Sequence, residues 1–154
     1  MRTATRRLAT VVVATPRPGA TPALAGWDGV PLAAYLRDVT DAPLVLDNDC
    51  NVMAASERDG HLRDHDDVLV LKASTGLGLG IVAGGQLVRG HRGAAGELGH
   101  VKVPAAAGLL CRCGDTGCLE AVAGGWALVE RLREGGQEVH HVRDLVSQPV
   151  HGDG

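Results

Sequence analysis

The sequence predicts an α/β fold in which strands alternate with helices and one hairpin makes the sheet mixed. Short runs of aliphatic residues, many of them β-branched, alternate with segments of helical character. The chain contains 2 Trp, 1 Tyr and no Phe, so its core must be built from Val, Leu, Ile and Ala. Many of its 22 glycines fall between residues 76 and 125, which suggests loops that contact a ligand or metal. The 154 residues suffice for one domain, which we predict over residues 1–150.

The first half of the chain predicts two strands and two helices. The apolar run Leu8–Thr15 predicts a central strand, and the prolines and glycine within 16–22 predict an irregular loop after it. Proline is tolerated in the first turn of a helix, so Pro31–Val39 predicts a helix. Pro43–Leu46 predicts a second buried strand that ends at an Asp-Asn-Asp sequence, and Asn51–Arg58 predicts the helix that follows.

The second half predicts an antiparallel hairpin followed by three helices. Val68–Ala73 and Ile81–Ala83 predict two strands joined by a glycine-rich loop. Gly84-Gly85 then predicts a two-residue hairpin turn that leads to the strand Gln86–Val88. The three helices are predicted over residues 119–123, 126–133 and 141–147, and residues 151–154 are predicted to be a disordered tail.

Charge and hydropathy argue against several classes of function. The formal net charge of −3 gives no electrostatic argument for binding nucleic acid. No apolar run approaches the roughly 18 residues that a membrane-spanning helix needs, so no membrane partner is expected. The N-terminal arginines and the apolar run Leu8–Ala14 imitate a signal peptide, but the run is short and fits a buried strand equally well. Because three of the four cysteines are grouped as metal ligands are, we expect a reducing, cytoplasmic location.

Three cysteines and one histidine predict a metal centre between residues 96 and 120. One residue separates Cys111 from Cys113, four separate Cys113 from Cys118, and His100 lies upstream. Three thiolates and one imidazole form a known ligand set for structural zinc, and the intervening glycines let the backbone fold tightly. The alternative is a group of thiols without a metal. The fourth cysteine, Cys50, is predicted to be a small buried residue.

Asn48 and Asp49 lie between the second predicted strand and the helix that follows it. In open α/β sheets, ligands bind beyond the carboxyl ends of the strands, where Asp49 would be well placed as a general base. The alternative is that these residues only cap the helix or form a turn.

The loop Ser74–Gly80 predicts an anion-binding turn. Its glycines allow backbone N–H groups to approach an anion closely, and Ser74 and Thr75 offer hydroxyl groups. The loop is neither a P-loop nor a dinucleotide-binding fingerprint, because no Gly-Lys-Ser/Thr follows and the next element is a strand. The alternative is a glycine-rich β-turn without a ligand.

Glu97 and Glu120 flank the predicted metal centre. A metal ion holding this loop would fix both carboxylates together with the imidazole of His100. Several hydrogen-bond acceptors close together suit a polyhydroxylated ligand such as a sugar. The alternative is that both glutamates are solvated surface residues.

Taken in order, these segments resemble the ROK family of repressors, open reading frames and kinases, which comprises bacterial sugar kinases and sugar-responsive regulators. The resemblance runs from about residue 11 to about residue 132 and rests on four motifs: Asp47–Asn51, Ser74–Gly80, Gly93–His100 and Cys111–Glu120. It implies an actin/hexokinase-like ATPase fold, which is ribonuclease H-like. The fold is expected to be incomplete here, with an inserted zinc-binding loop at about residues 96–120.

The resemblance also implies a role for each candidate residue. A structural zinc ion would be bound by His100, Cys111, Cys113 and Cys118. A sugar or sugar phosphate would be bound by Asn48, Asp49, Glu97, His100 and Glu120. The phosphates of ATP would contact Ser74, Thr75, Gly76 and Gly78. In a kinase, Asp49 would take the proton from the attacking sugar hydroxyl. His100 would serve both sites, with one ring nitrogen toward zinc and the other toward the sugar.

Parts of the family pattern have no match in this sequence. They are the first phosphate loop, with its aspartate and glycines, and the C-terminal segment that completes the adenosine pocket. We therefore expect that this chain alone does not phosphorylate sugars, and we expect ATP with Mg²⁺ only if its parent is a kinase. DNA binding is expected only through a helix-turn-helix domain, which has no match here either. The family forms oligomers, and an incomplete sheet predicts an exposed edge and an apolar face.

Two functions follow from the resemblance, and a third alternative is an inert remnant of the family. Ser74, where kinases usually have glycine, and the sequence of residues 118–123 favour the sensor part of a sugar-responsive transcriptional regulator. The alternative is a fragment of an ATP-dependent sugar kinase, of the glucokinase or N-acetylmannosamine kinase type, with Asp49 as the general base.

Overall fold

The computed structural model describes residues 11–15 and 32–147 of the chain. Strands and helices alternate as predicted. In chain order they are β1 Val11–Thr15, α1 Leu32–Arg37, β2 Leu44–Asn48, α2 Asp49–Asp59, β3 Val68–Ala73, β4 Leu77–Ala83, β5 Gln86–Leu87, α3 Glu120–Ala123, α4 Gly125–Glu134 and α5 Val142–Ser147. The long connection between β5 and α3 contains short 3₁₀ turns, at His91–Gly93, Leu98–His100 and Pro104–Ala106. The predicted loop within 16–22, Pro31 and the tail 151–154 lie outside the described residues.

The strands form two sheets, so the prediction of one mixed sheet is wrong for the described residues. Strands β1 and β2 pair in parallel, with Val11 opposite Leu44 and Thr15 opposite Asn48. Strands β3, β4 and β5 form a separate antiparallel sheet in that order. Helix α2 contacts strands of both sheets and therefore fixes one against the other.

The passage from β2 into α2 is tighter than the sequence predicts. Asn48 ends the strand and also caps the helix, because its Oδ1 accepts hydrogen bonds from the backbone N–H groups of Cys50 at 2.8 Å and Asn51 at 3.4 Å. The strand therefore continues for two residues beyond the predicted end at Leu46, and the helix begins at Asp49 instead of Asn51. This geometry projects Asp49 from the carboxyl end of β2.

Strand β4 begins at Leu77, so most of the predicted loop Ser74–Gly80 is strand. The glycines at 78 and 80 face α2, which packs directly on the strand backbone. A Cβ atom at Gly78 would lie 2.4 Å from Cys50 Sγ, and one at Gly80 would lie 2.1 Å from the carbonyl oxygen of Cys50. These two glycines are therefore needed for helix packing, and the connection between β3 and β4 shrinks to Ser74–Gly76.

The hairpin between β4 and β5 follows the prediction. Gly84 and Gly85 have φ angles of 56° and 72°, a pair of positive values that a type I′ turn requires. Because residues with side chains adopt such angles only at a cost, the double glycine selects this tight turn.

One face of the antiparallel sheet builds a small core against α2. Ala54, Val68 and Val82 are buried there, and the partly buried Leu62, Val70 and Leu87 pack around them. The other face carries Leu69 and Leu71, which are 68% and 58% exposed and lie opposite Ile81 and Leu79 in the register. The described part of the chain thus has an apolar sheet face with little cover, as expected from the sequence. Within these residues, no helix is long and apolar enough to span a bilayer.

Candidate functional site

A cavity of about 330 Å³ lies where β2, the Ser74–Gly76 turn and the β5–α3 connection meet, and we call it the central cavity. All five residues predicted to bind sugar line it, together with three of the four predicted phosphate contacts. The lining residues are Asn48, Asp49, Cys50, Lys72, Thr75, Gly76, Leu77, Gly78, Ala95, Gly96, Glu97, His100, Arg112, Cys113, Glu120 and Trp126. The topology thus brings together residues from four distant segments of the sequence.

Asp49 lines the central cavity, and both of its carboxylate oxygens already accept hydrogen bonds. Its Oδ1 accepts from the Cys50 backbone N–H at 2.8 Å and lies 3.3 Å from Cys50 Sγ. Its Oδ2 accepts a close hydrogen bond from the ammonium of Lys72 on β3. Burial raises the pKa of Asp49, but the hydrogen bonds from Lys72 and Cys50 outweigh it and keep that pKa below its ordinary value. Asp49 is therefore an ionised acceptor at neutral pH.

Asp47 lies on β2, two residues before Asp49, and its carboxylate joins β2 to Asn51 on α2 and to Arg89. Its Oδ1 accepts from Asn51 Nδ2 and from the Asn48 backbone N–H, each at 2.8 Å. Its Oδ2 accepts from Nε and Nη2 of Arg89 at 3.0 and 2.7 Å. Asn51 is 3% exposed, so this network satisfies a buried amide and fixes the β2–α2 corner that carries Asn48 and Asp49.

Glu120 at the start of α3 is half-buried, so the alternative of a freely solvated side chain does not hold for it. Its Oε2 accepts from the Leu77 backbone N–H at 2.9 Å, and its Oε1 accepts from Trp126 Nε1 at 3.2 Å. Two glycines make room for it, because a Cβ atom at Gly76 would lie 2.7 Å from Oε2 and one at Gly99 would lie 2.8 Å from it. The carboxylate is thus held in one orientation at the cavity wall.

The Ser74–Gly76 turn is anchored to α4 by backbone hydrogen bonds. The carbonyl of Ser74 accepts from the Gly125 N–H at 2.9 Å, and that of Thr75 accepts from the Trp126 N–H at 3.1 Å. Of the four predicted phosphate contacts, Thr75, Gly76 and Gly78 line the central cavity, whereas Ser74 is not among its lining residues. Anion contacts at this turn therefore remain a prediction for three of the residues.

His100 and the three grouped cysteines come together on one side of the cavity, and we call them the Cys/His cluster. The four candidate ligand atoms lie within 4.8 Å of one another. Cys113 Sγ is 3.8 Å from Cys118 Sγ, and His100 Nδ1 is 3.9 Å from Cys111 Sγ. A tetrahedral zinc ion with bonds of about 2.3 Å to sulfur separates two thiolates by about 3.8 Å. Both the donor set and the spacing therefore fit zinc.

The loop that carries the cysteines is shaped for this convergence. Antiparallel bridges join Leu110 to Thr116 and Lys102 to Cys118, and Gly114 and Gly117 take φ angles of 89° and 80° within it. Burial raises the pKa of the Cys111 thiol to about 12. Burial acts the same way on Cys113, but hydrogen bonds from the Asp115 N–H and the neighbouring thiols outweigh it and lower its pKa.

The ring of His100 faces both the cluster and the cavity. Its Nδ1 points toward Cys111 Sγ, while its Nε2 lies 3.9 Å from Glu97 Oε2. Since the two nitrogens have different neighbours, one side chain connects the cluster to the cavity wall. The double role toward zinc and sugar that the family resemblance implies for this ring stays a prediction.

Three cavity residues with charged or aromatic side chains were not predicted from the sequence. Lys72 contacts Asp49, and Arg112 lies over the Trp126 ring with its Cζ atom 4.6 Å from the ring centroid. Arg112 Nη2 also lies 3.3 Å from Glu130 Oε1 on α4. A lone lysine in the aliphatic strand Val68–Ala73 was the available signal for Lys72. Arg112 and Trp126 carried no signal, because they meet only through the folded loop.

The chain is similar in sequence to a known protein family and to its curated members. The sequence model of the ROK family matches residues 10–151. The glucokinase of Thermotoga maritima is 40% identical over 130 residues, which cover 82% of this chain and 41% of that protein.

Two solved structures are also similar. A ROK family glucokinase from Streptomyces griseus, in complex with glucose and AMPPNP, superposes with a TM-score of 0.60 at 37% sequence identity. The matched region covers 73% of this chain and 36% of the glucokinase chain. A ROK family transcriptional regulator, a homologue of the E. coli MLC protein, superposes with a TM-score of 0.56 at 30% sequence identity. The matched region covers 77% of this chain and 28% of the regulator chain. The chain thus spans about two fifths of the length of the curated relatives that it matches.

Proposed function

The chain belongs to the ROK family, and we propose that it is the sugar-binding part of a ROK protein, with a structural zinc ion in its Cys/His cluster. The central cavity carries this proposal. It places three carboxylates, one amide and one imidazole around a single space of about 330 Å³, which is the size of a small-molecule site.

The chemistry of the lining suits a sugar. Asp49, Glu97 and Glu120 accept hydrogen bonds, while Asn48 and His100 can donate or accept, so hydroxyl groups on several carbons of one ring find partners. Asp49 and Glu120 are held by the protein before the ligand arrives. Such preorganisation lowers the entropy lost on binding. The glucose-bound relative from Streptomyces griseus supports the same class of ligand.

Zinc in this proposal would be held by His100 Nδ1 and the three grouped thiolates. It would supply a cross-link between the 3₁₀ turn Leu98–His100 and the loop that precedes α3. Lys102 Nζ donates to Cys118 Sγ at 3.3 Å, so part of the excess negative charge of three thiolates would be neutralised. The residues of this chain would then keep His100 Nε2 directed toward Glu97 and the cavity.

We further propose that the parent protein senses sugar as a transcriptional regulator. The specific observation in its favour is the pairing of Asp49 with Lys72, which weakens that carboxylate as a proton acceptor. The second candidate is a sugar kinase. It is favoured by the 40% identity to the Thermotoga maritima glucokinase and by the Thr75-Gly76 backbone, which faces the same cavity as Asp49.

Calorimetric titration of the zinc-loaded protein with glucose, mannose and N-acetylmannosamine tests the sugar site. We expect binding of at least one sugar and a loss of about tenfold or more in affinity for Glu120→Gln, since this change removes a charged hydrogen-bond acceptor. Glu57→Gln on α2, outside the cavity lining, is the matched control and should leave the affinity unchanged. Absence of binding for all three sugars at millimolar concentration contradicts the proposal.

An assay with Mg²⁺-ATP tests whether the sensor proposal is overturned in favour of the kinase. The sensor proposal expects no sugar phosphate from the protein that binds sugar. Sugar phosphate that forms with wild type and is lost in Asp49→Asn would instead establish the kinase.

A further inference from the structure

Lys72 lines the central cavity but is not among the five residues proposed to bind the sugar. It lies on the face of β3 that packs toward α2, between apolar neighbours of the same strand. Its partner in the register is Gly78 on β4, which has no side chain to block the path of the lysine. The ammonium therefore reaches across the sheet surface to Asp49 at the start of α2.

This contact engages the oxygen that a proton acceptor would use. Asp49 Oδ1 is held by the Cys50 backbone N–H at 2.8 Å, which leaves Oδ2 as the freer oxygen, and Lys72 donates to it. A carboxylate bound to an ammonium is a weaker base, because proton uptake must break a charge-assisted hydrogen bond. It can still accept a further hydrogen bond from a hydroxyl, since two oxygens offer about four lone-pair directions.

We propose that Lys72 is a positioning residue of the sugar site, which holds Asp49 ionised and oriented so that it accepts a hydrogen bond from the sugar without removing the hydroxyl proton. The inference rests on the proposed sugar-binding function and deepens it. The site binds its sugar and returns it unchanged, which is what a sensor requires. Lys72 acts through Asp49 and is therefore a positioning residue.

The other charged groups around Asp49 do not replace this cation. Cys50 on the same helix stays neutral, since burial and the neighbouring Asp49 raise its pKa to about 11. Asp47 on β2 is paired with Arg89, and Glu97, which also lines the cavity, is a carboxylic acid and supplies no positive charge. Among the described residues, Lys72 is the cation in direct contact with Asp49. The remaining titratable groups of the cavity are His100, Arg112, Cys113 and Glu120.

Carbon NMR of the aspartate carboxyl groups tests the inference in zinc-loaded protein without sugar. The Asp49 signal is assigned with Asp49→Asn, and its shift is followed from pH 7.5 downward over the range in which zinc content stays constant. In Lys72→Met we expect the signal to leave its ionised value at a pH about one unit or more higher than in wild type. Lys72→Arg retains the charge and should restore the wild-type behaviour. Arg58→Met removes a cation of α2 that pairs with Asp59 and lies outside the cavity lining. It should leave the pH dependence of the Asp49 signal unchanged.

Sugar affinity gives the second readout. As the pH falls from 7.5 through the range in which the zinc content stays constant, the sugar affinity of Lys72→Met should begin to fall at a pH about one unit or more higher than that of wild type, because Asp49 without its cation is protonated earlier. Identical carboxyl shifts in wild type and Lys72→Met overturn the inference, as does a fall in Mg²⁺-ATP-dependent sugar phosphate when Lys72 is replaced. If no sugar binds at all, the proposed function fails, but the carboxyl shifts still decide whether Lys72 controls Asp49.

Discussion

At the scale of single residues, Asp47 determines whether the corner that carries Asn48 and Asp49 is rigid. Asp47→Asn should lower the free energy of unfolding at pH 7 by about 1–3 kcal/mol, because the carboxylate accepts from Arg89 and from the buried Asn51. Burial raises the pKa of Asp47, but hydrogen bonds from Asn51 and Arg89 outweigh it and lower that pKa. Its stabilisation is therefore present at neutral pH and is lost as the pH falls through the lowered pKa.

Urea unfolding at several pH values from 7 down to about 2 measures this effect. The difference between wild type and Asp47→Asn should stay nearly constant down to the ordinary aspartate pKa of 3.8 and narrow below it, since protonation then weakens the same contacts in wild type. Asp41→Asn, at an exposed position before β2, is the matched control and should differ from wild type by less than about 0.5 kcal/mol. A difference for Asp47→Asn that stays constant or grows as the pH falls from about 4 to about 2 would rule out this role.

Gly76 is the second residue whose identity we expect to matter. A Cβ atom there would lie 2.7 Å from Glu120 Oε2, which is itself fixed by the Leu77 N–H. Gly76→Ala should displace the carboxylate and reduce sugar affinity by about tenfold, with little change in stability because the side chain can move. Gly135→Ala, where the nearest atom to a new Cβ is 3.4 Å away, should leave the affinity unchanged. Equal affinities for wild type and Gly76→Ala in calorimetry would show that Glu120 does not need its observed position.

At the scale of elements, the Cys/His cluster connects the 3₁₀ turn Leu98–His100 with the loop that precedes α3. Removal of zinc should abolish sugar binding, since His100 loses its fixed orientation beside Glu97. It should also shift the fluorescence of Trp126, because Arg112, which lies on the Trp126 ring, is part of the same loop. The measurement uses a Trp27→Phe background, in which Trp126 is the remaining tryptophan of the 2 in the chain.

Variants of two cysteines provide the control for this prediction. Cys118→Ser should lower the bound zinc well below one equivalent in elemental analysis, whereas Cys50→Ala should retain it, because Cys50 lies outside the cluster. Full zinc content in Cys118→Ser would contradict the ligand set. If the sugar affinity is unchanged after zinc is removed with a chelator, zinc stabilises the loop but does not orient His100 for sugar binding.

The elements differ in how well local sequence determines them. Strand β3 was predicted over its observed range, since an aliphatic run bounded by turn residues needs no distant partner. Strand β4 was predicted to begin four residues too late, because Gly78 and Gly80 have the composition of a loop. They are glycines because α2 packs on their backbone, and that contact is invisible along the chain. The same limit applies to Lys72, whose partner Asp49 is 23 residues away.

The candidate site was predicted better than the sheets. Motifs placed Asn48, Asp49, Glu97, His100 and Glu120 near one another in the family, and all five line one cavity here. Their types and order match motifs of the family, so the sequence alone could indicate that they lie together. Packing partners such as Trp126 and Arg112 are chosen by shape, and one sequence gives little indication of them.

At the scale of the whole molecule, the uncovered face of the antiparallel sheet should control association. Leu69 and Leu71 are 68% and 58% exposed, and β3 has no partner on its outer edge within the described residues. An apolar face beside a free strand edge favours pairing with another chain. We therefore expect the purified protein to self-associate at micromolar concentration, and the double variant Leu69→Thr, Leu71→Thr to shift it toward the monomer. Threonine keeps the strand preference while it removes apolar surface.

Light scattering across a concentration series measures the mass of the protein in solution, and unchanged zinc content shows that the fold is retained. Val39→Thr changes a residue that is 81% exposed but lies outside this sheet, so it should leave the association unaltered. If the wild-type protein stays monomeric at a concentration of about 100 micromolar, this face is covered in solution.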